Sequence, residues 1–400
     1  MSDKANKTVK LGWRRVKFGD VVQLSKARSQ DPLAGGFERY VGLEHLEPGD
    51  LRIRSWGNIA DGVTFTSVFQ PGHVLFGKRR AYQRKVAVAD FAGVCSGDIY
   101  VLETINAQVL MPALLPFICQ TDAFFDHAVG TSAGSLSPRT NWTSLADYEF
   151  ALPPMDEQES LVRLLRTATD ASRAQGHTIN AAEGLLQSFK NEAIGNNTAD
   201  VTKDVLLGDV LLESPGSGCS APPRDADTGY FVLGLAALSR HGYVTGDFKP
   251  VEPTSKMLSA KLSKGDLLIS RSNTPDRVGY VGIFDDERDD VSFPDTMMRL
   301  KPNPAVIDPI YLEAVLQTTS AREFLMRIAA GTSASMKKIN RANLLKMHFR
   351  LPNLDAQRAA LEQLYDLRTV VVLQRGRLAA TRSLITQISA AALAGGQKNV

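Results

Sequence analysis

Four short polar stretches carry the residue types that recognise phosphates and base edges. FGKRRAYQRK, residues 76–85, packs Lys78, Arg79, Arg80, Arg84 and Lys85 around Tyr82. Lysine and arginine neutralise phosphates, arginine also pairs bidentately with a guanine edge, and an aromatic ring can stack or pack on a sugar. SRSNTPDR, residues 270–277, offers Arg271, Ser272, Asn273, Thr274 and Arg277, a donor-rich set suited to base edges. GSLSPRTNW (134–142) adds Arg139 and Asn141, and SMKKINRAN (335–343) adds Lys337, Lys338 and Asn340. Any one of these stretches could be an ordinary solvated loop. Two kinds of cluster recurring at matching places along the chain point instead to nucleic-acid contact.

Other chemistries lack their residues. There is no G-x-x-x-x-G-K-[ST] phosphate loop, no G-x-G-x-x-G after a strand and no H-E-x-x-H. The N-P-P-Y or D-P-P-Y loop that amino-methyltransferases place beside a flipped base is also missing. Six scattered histidines make no ligand cluster, and DDERDD (285–290) reads as a solvated loop. No residue is nominated as catalytic and no metal site is expected.

The elements that position these clusters occur twice. VKFGDVV (16–22) resembles VLLGDVL (205–211), and YVGLEHL (40–46) resembles VLGLAAL (232–238). PGHVLFGKRR (71–80) resembles KGDLLISRSN (264–273), and GTSA at 130–133 returns at 331–334. LPPMDEQ (152–158) returns as LPNLDAQ (351–357). The matches keep their order and lie 189 to 201 residues apart, as a duplication with loop insertions would leave them.

Within each copy the texture changes once. Residues 1–150 and 197–350 are short apolar runs broken by Gly, Pro, Asn and Asp, which read as short strands with a few short helices, such as 109–121 and 309–329. Residues 156–194 and 355–394 contain no proline and read as long helices. Asp156 is the expected cap of the first, with Glu159 completing a capping box after Pro153 and Pro154. Asp355 is the expected cap of the second, which has Arg358 in place of the box glutamate.

In the first helix, rows of seven run through Leu161, Ala168, Gln175, Ala182 and Phe189, and through Leu165, Ser172, Ile179, Leu186 and Ala193. The second helix repeats the pattern at Leu364, Val371, Leu378, Ile385 and Ala392. Gly195-Asn196 and Gly395-Gly396 are the expected stops. Such rows make a coiled-coil seam. At 1.5 Å per residue about 40 residues make a rod of roughly 60 Å, and the economical partner of each helix is the other, antiparallel. Two separate amphipathic core helices are the alternative.

The fold class expected is α+β: two pseudo-repeated, mostly-β domains and two long antiparallel coiled-coil helices. The boundaries fall at 1–155, 156–196, 197–354 and 355–396. The chain has 400 residues, is 44% hydrophobic and 22% charged, and carries a net charge of only +3, ordinary values for a globular protein. Cys95, Cys119 and Cys219 form no CxxC pair, which fits a reducing compartment. With no secretory-type N-terminus and no membrane-spanning run, a cytoplasmic location is expected.

The stretches VLFGKRRAYQRKVAVADFAGVCSGDIYVL (74–102) and GDLLISRSNTPDRVGYVGIF (265–284), with the GTSA-to-LPPMDEQ and GTSA-to-LPNLDAQ endings, resemble the specificity subunits of type I restriction–modification systems. The resemblance runs from about residue 10 to 395. It implies a target recognition domain in each repeat, each reading one half of a bipartite, asymmetric site in double-stranded DNA, and the pair held by antiparallel spacer helices. It implies a non-catalytic subunit that binds no cofactor itself. Two methyltransferase subunits, which would carry S-adenosylmethionine, and motor-nuclease subunits are its implied partners. The signature residues Asp156, Glu157, Gln158, Asp355 and Gln357 are the implied partner contacts. The second signature departs from the pattern at Asn353 and Ala356, which puts the equivalence of the two partner sites in doubt. A coiled-coil protein-interaction scaffold that does not read DNA sequence stays open, as does an enzyme with an unrecognised site.

Overall fold

The computed structural model describes residues 10–195, 202–331 and 336–393. The expected helix stops Asn196, Gly395 and Gly396, and most of the second GTSA, lie outside them. The chain divides into two units, residues 1–176 with 376–400, and residues 177–375. Each unit holds one copy of the repeat and a stretch of both long helices.

In the first unit Val74–Gly77 is apolar and buried at every position, as a strand covered on both faces must be. It sits inside an antiparallel sheet ordered Val22–Leu24, Ile99–Thr104, Val74–Gly77, Val86–Val88. A second sheet runs Gly57–Asn58, Arg39–Val41, Gly93–Cys95, Ser67–Phe69, with its middle pair parallel. The second unit repeats both. Leu267–Ser270, again wholly buried, takes the central place between Met297–Leu300 and Val281–Ile283. Phe231–Leu233 runs parallel to Val291–Ser292. The FGD and LGD motifs form the same turn, in which Asp20 accepts from the Lys17 amide at 3.3 Å and Asp209 from the Leu206 amide at 3.0 Å.

Of the stretches expected as short helices, 309–329 is two, and 109–121 holds one that a second follows beyond residue 121. Leu115–Cys119 precedes Asp122–Gly130, and Pro309–Leu316 precedes Thr319–Ile328. Thr121 and Thr318 cap the second member of each pair, which is what breaks the run. The first and last strands of each copy pair with each other: Arg14–Lys17 with Glu149–Leu152, and Thr202–Leu206 with His348–Pro352. The last strand then leads directly into a long helix.

The long helices are Met155–Phe189, continued by a π-turn over Lys190–Gly195, and Leu354–Leu393. Both begin one residue before the expected caps. Pro154 precedes the first, its carbonyl taking the Gln158 amide at 2.9 Å, so Asp156 lies inside the first turn rather than capping it. The cap of the second is Asn353, whose side chain accepts from the Ala356 amide at 2.9 Å. The asparagine that departs from the signature thus supplies the cap expected of Asp355.

The rows of seven form the packed face. Leu165, Ile179, Leu186, Leu364 and Val371 are buried, with Leu161, Ala168, Ala182, Phe189, Leu378 and Ile385 beside them half-buried. In the first unit Val162 and Leu165 share a core with Ile385 and Ile388. In the second, Leu186 and Phe189 share one with Leu361, Leu364 and Val371. The helices run antiparallel there. Glu183 accepts from Arg375 Nε at 3.2 Å, whereas Lys190, further along the first helix, meets the earlier Arg368 on Gln317 Oε1.

One side chain fixes each helix start to its domain. Gln158 is 1% exposed: Oε1 accepts from the Met111 amide at 2.8 Å, and Nε2 donates to the carbonyls of Val109 and Pro153, both at 2.9 Å. Gln357 is 0% exposed and repeats the pattern with the Asp308 amide at 2.9 Å and the carbonyls of Val306 at 3.0 Å and Pro352 at 2.9 Å. Both were expected at a partner surface. Their amides are consumed inside the fold, each joining the turn into its helix to a loop of its own domain.

No helix among the described residues is long and apolar enough to cross a membrane. Among the described residues no group of three or more His, Cys, Asp or Glu could hold a metal ion. Removing a clamp strands a buried amide and two carbonyls. Gln158→Ala and Gln357→Ala should therefore each lower stability by roughly 2–4 kcal/mol in urea unfolding of the full chain. Asp355→Ala, at an exposed ion pair, should change it by less than about 0.5 kcal/mol.

Candidate nucleic-acid interface

Beyond Gly77 the central strand of the first domain leaves the core and becomes a displayed edge. The Lys78 amide donates to the Asp98 carbonyl at 3.0 Å, and the Lys78 carbonyl accepts from the Thr140 amide at 3.0 Å. Arg79 bridges Arg139, which bridges Ala133 in turn. In the second domain the Arg271 amide donates to the Thr296 carbonyl at 2.8 Å, and its carbonyl accepts from the Ile339 amide at 2.8 Å. Ser272–Asn273 pairs with Lys337–Ile339, which pairs with Ala329–Ala330. The two edges are the same construction. Lys78 corresponds to Arg271, Arg79 to Ser272, and Arg139 to Lys338.

Asn141 and Asn340 also correspond, each capping a short helix by accepting from the Ser144 and Ala342 amides, both at 2.8 Å. Both residues are exposed, with their oxygens occupied by the cap.

In the first domain the cations are ordered by two groups absent from the candidate set. Asp98 accepts from Arg79 Nη1 at 3.2 Å and Arg139 Nε at 2.9 Å. Ser137 Oγ accepts from Arg79 Nη2 at 3.1 Å and Arg80 Nη2 at 3.3 Å. Burial by itself would raise the Asp98 carboxyl, but the hydrogen bonds and charges of Arg139 and Arg79 outweigh it and hold it below the usual range. Lys78 Nζ lies 4.7 Å from the centre of the Tyr100 ring. The Nε atoms of Arg79, Arg80 and Arg271 are buried without a hydrogen-bond partner among the described residues.

Arg84 and Lys85 are used differently. Arg84 donates to Asp122 and to the Gln120 carbonyl, and its guanidinium lies 4.6 Å from the Phe125 ring centre. Lys85 Nζ donates to the Leu43 carbonyl at 2.7 Å. Both brace the turn that displays Tyr82, which is 54% exposed.

The second domain departs from the expectation at two positions. Ser272 and Asn273 are buried, not turned to a base edge, where their strand leads on from the wholly buried strand Leu267–Ser270. Asn273 Nδ2 donates to Ser270 Oγ at 3.2 Å, and its Oδ1 accepts from the Thr274 amide at 2.9 Å. The outward groups are Arg271 in part, Thr274, Arg277 and Lys338. Arg277 lies 3.8 Å from Asp276, and Lys337 Nζ donates to the Gly331 carbonyl at 2.8 Å.

The remaining signature residues lie at the helix starts. Asp156 is exposed. Glu157 accepts from Lys10 Nζ at 2.8 Å and Trp13 Nε1 at 3.1 Å. Asp355 is exposed and pairs with Arg358 at 3.1 Å.

No family model matches the chain. In sequence it is 28% identical over 194 residues to the EcoDI specificity subunit of a type I restriction enzyme from Escherichia coli, covering 45% of this chain and 41% of that protein. It is 23% identical over 197 residues to a protein of Methanocaldococcus jannaschii assigned as the MjaX specificity subunit, covering 47% and 45%. The chain thus spans less than half the length of these relatives. In fold it matches a chain from a structure of the assembly and conformational transition of a type I restriction–modification system, with a TM-score of 0.60, 20% identity and coverage of 97% and 99%. It also matches the S subunit of a type I restriction–modification system from M. genitalium, with a TM-score of 0.52, 11% identity and coverage of 96% of each chain. In sequence and in fold, the chain resembles the specificity subunits of type I restriction enzymes.

Proposed function

We propose that this chain is the DNA sequence-specificity subunit of a type I restriction–modification system. Each recognition domain reads one half of a bipartite, asymmetric site in double-stranded DNA. The chain itself performs no catalysis and binds no cofactor. It recruits two methyltransferase subunits, on which S-adenosylmethionine is carried, and through them motor-nuclease subunits.

The observation that carries this reading is the repeated edge. Two domains place a strand extension, a facing strand and a capped helix in the same arrangement, yet fill the outward positions with different side chains. Lys78 faces the surface in one and Arg271 in the other; Arg139 in one and Lys338 in the other. Equal placement with unequal chemistry is what reading two different half-sites requires. Arginines on both edges present guanidinium donors suited to an acceptor-rich ligand. Recruitment of protein partners is supported by the stretch of the C-terminal helix in the second unit. It leaves Tyr365 and Val372, seven residues apart, and Leu373 largely exposed. The net charge of only +3 fits a chain that holds DNA firmly in company with its partners and weakly alone.

The corresponding pairs give the test. In a complex with the methyltransferase, Arg139→Ala and Lys338→Ala should each weaken binding by roughly 1–3 kcal/mol where the contact is to a base. Methylation mapping should show relaxed sequence preference in a different half-site for each. If both changes relaxed the same half-site, the assignment of domains to half-sites would fail. If neither altered DNA binding, the scaffold reading would replace it.

Asp98 yields a second expectation. Its folded-state pKa is depressed, so its contribution to stability is present above the unfolded value, about 4, and is lost as pH falls through the folded value. Asp98→Asn should lower stability by about 1 kcal/mol at neutral pH. The gap from the unsubstituted chain should close in acid melts below about pH 4.

A further inference from the structure

The turn from Arg80 to Arg84 sets the first edge apart from the second. Arg80 and Arg84 are the only non-glycine residues with positive φ among the described residues, at 53° and 56°. An L-residue is disfavoured there and persists when its surroundings over-determine it. Here they do. The Arg80 amide donates to the Pro138 carbonyl at 2.7 Å and its guanidinium to Ser137, while Arg84 is pinned by Asp122, the Gln120 carbonyl and the Phe125 ring.

Between the two arginines Ala81 is buried and Tyr82 stands out, 54% exposed. Strained backbone and these five contacts therefore hold one aromatic ring away from the core, in the same turn as Arg80 and three residues from Arg79. The matching turn of the second domain, Thr274 to Arg277, carries Pro275 and has no aromatic residue.

We propose, building on the DNA-reading function above, that Tyr82 is a stacking contact made in the first half-site only. Its ring packs face-on against a base that the bound duplex exposes at a distorted step. The neighbouring arginines neutralise the phosphates on either side. Aromatic stacking on bases depends on the ring and tolerates any base, so this contact adds affinity and senses local deformation rather than base identity.

The test uses the full chain assembled with its methyltransferase and the duplex identified by methylation mapping. Equilibrium titrations are run with both half-sites intact and with each scrambled in turn. Tyr82→Ala should weaken binding to the intact duplex about tenfold, equivalent to about 1.4 kcal/mol. Tyr82→Leu, apolar but without a stacking face, should lose nearly as much, and Tyr82→Phe should bind within about twofold of the unsubstituted chain. The loss should persist when the second half-site is scrambled and vanish when the first is. The proposal is overturned if Tyr82→Ala binds normally, if Tyr82→Phe loses as much as Tyr82→Ala, or if the loss follows the second half-site. If Arg139→Ala and Lys338→Ala are also silent, the DNA-reading function itself falls. If those two weaken binding and Tyr82→Ala does not, only the stacking contact falls.

Discussion

The organisation of each unit rests on one buried amide group used three ways. Gln158 and Gln357 each accept one backbone amide and donate to two carbonyls, one of the carbonyls belonging to the last strand's exit and the others to the loop before the domain's helical pair. Asparagine is one methylene too short to reach these groups, and glutamate could accept but not donate. The clamp joins helix start, closing strand and domain loop at one point. The closing strand pairs with the first strand of the domain, so the display edge is referred through the sheets to the long helix. A surface built from long cationic side chains keeps its geometry on such a frame, since each arginine ordered on a mobile support costs conformational entropy.

The duplication has kept this frame and let the helix packing diverge. In the first unit the C-terminal helix meets the domain core through Ile385 and Ile388, with buried Ser389 beside them. In the second unit the corresponding stretch of the central helix carries Lys190, whose Nζ donates to Gln317 at 2.6 Å inside the core. Burial, and then the charge of Arg368, push the Lys190 amine down to about 8 despite Glu313 nearby. Glu313 is buried and held by Arg368 at 2.8 Å. Buried ionic groups of this kind add little net stability over well-packed apolar ones but penalise misregistered packing heavily. The second unit thus sets its helix register with polar groups where the first uses shape.

The helices and the repeat were legible in the sequence because both depend on periodicity. Rows of seven name the packed face without knowledge of the partner, and Leu165, Ile179 and Leu186 are buried as their row required. Helix starts were less legible. Asp156 and Asp355 have the side chains of good caps, but Pro154 and Asn353 precede them and take the position. The buried glutamines were illegible for a different reason. A polar residue in the first turn of a helix reads as exposed unless the loop that returns over it is known, and that loop lies 47 residues away for Gln158 and Met111. Of the candidate interface, the matching of the stretches between the two copies was legible and the orientation of their side chains was not. Ser272 and Asn273 turn inward where their strand leads on from the buried Leu267–Ser270, with Asn273 spent on Ser270 and the Thr274 amide. Asp98 escaped notice because its role exists only through the register that sets it against Arg79 and Arg139.

That register explains how one frame can carry different outward side chains. Backbone hydrogen bonds hold Lys78 and Arg271 in place from both sides, so the identity of the side chain is free of any structural duty. Lys78 and Arg271 differ, Arg139 and Lys338 differ, and Arg79 has become an inward serine at 272, while the bonds around them are the same. Arg84 and Lys85 brace the structure away from the display edge, whereas Arg79 and Arg139 are tied to Asp98 on it. Because backbone bonds build the edge, an outward side chain that lies outside packing and hydrogen-bond networks can change at little cost to the fold.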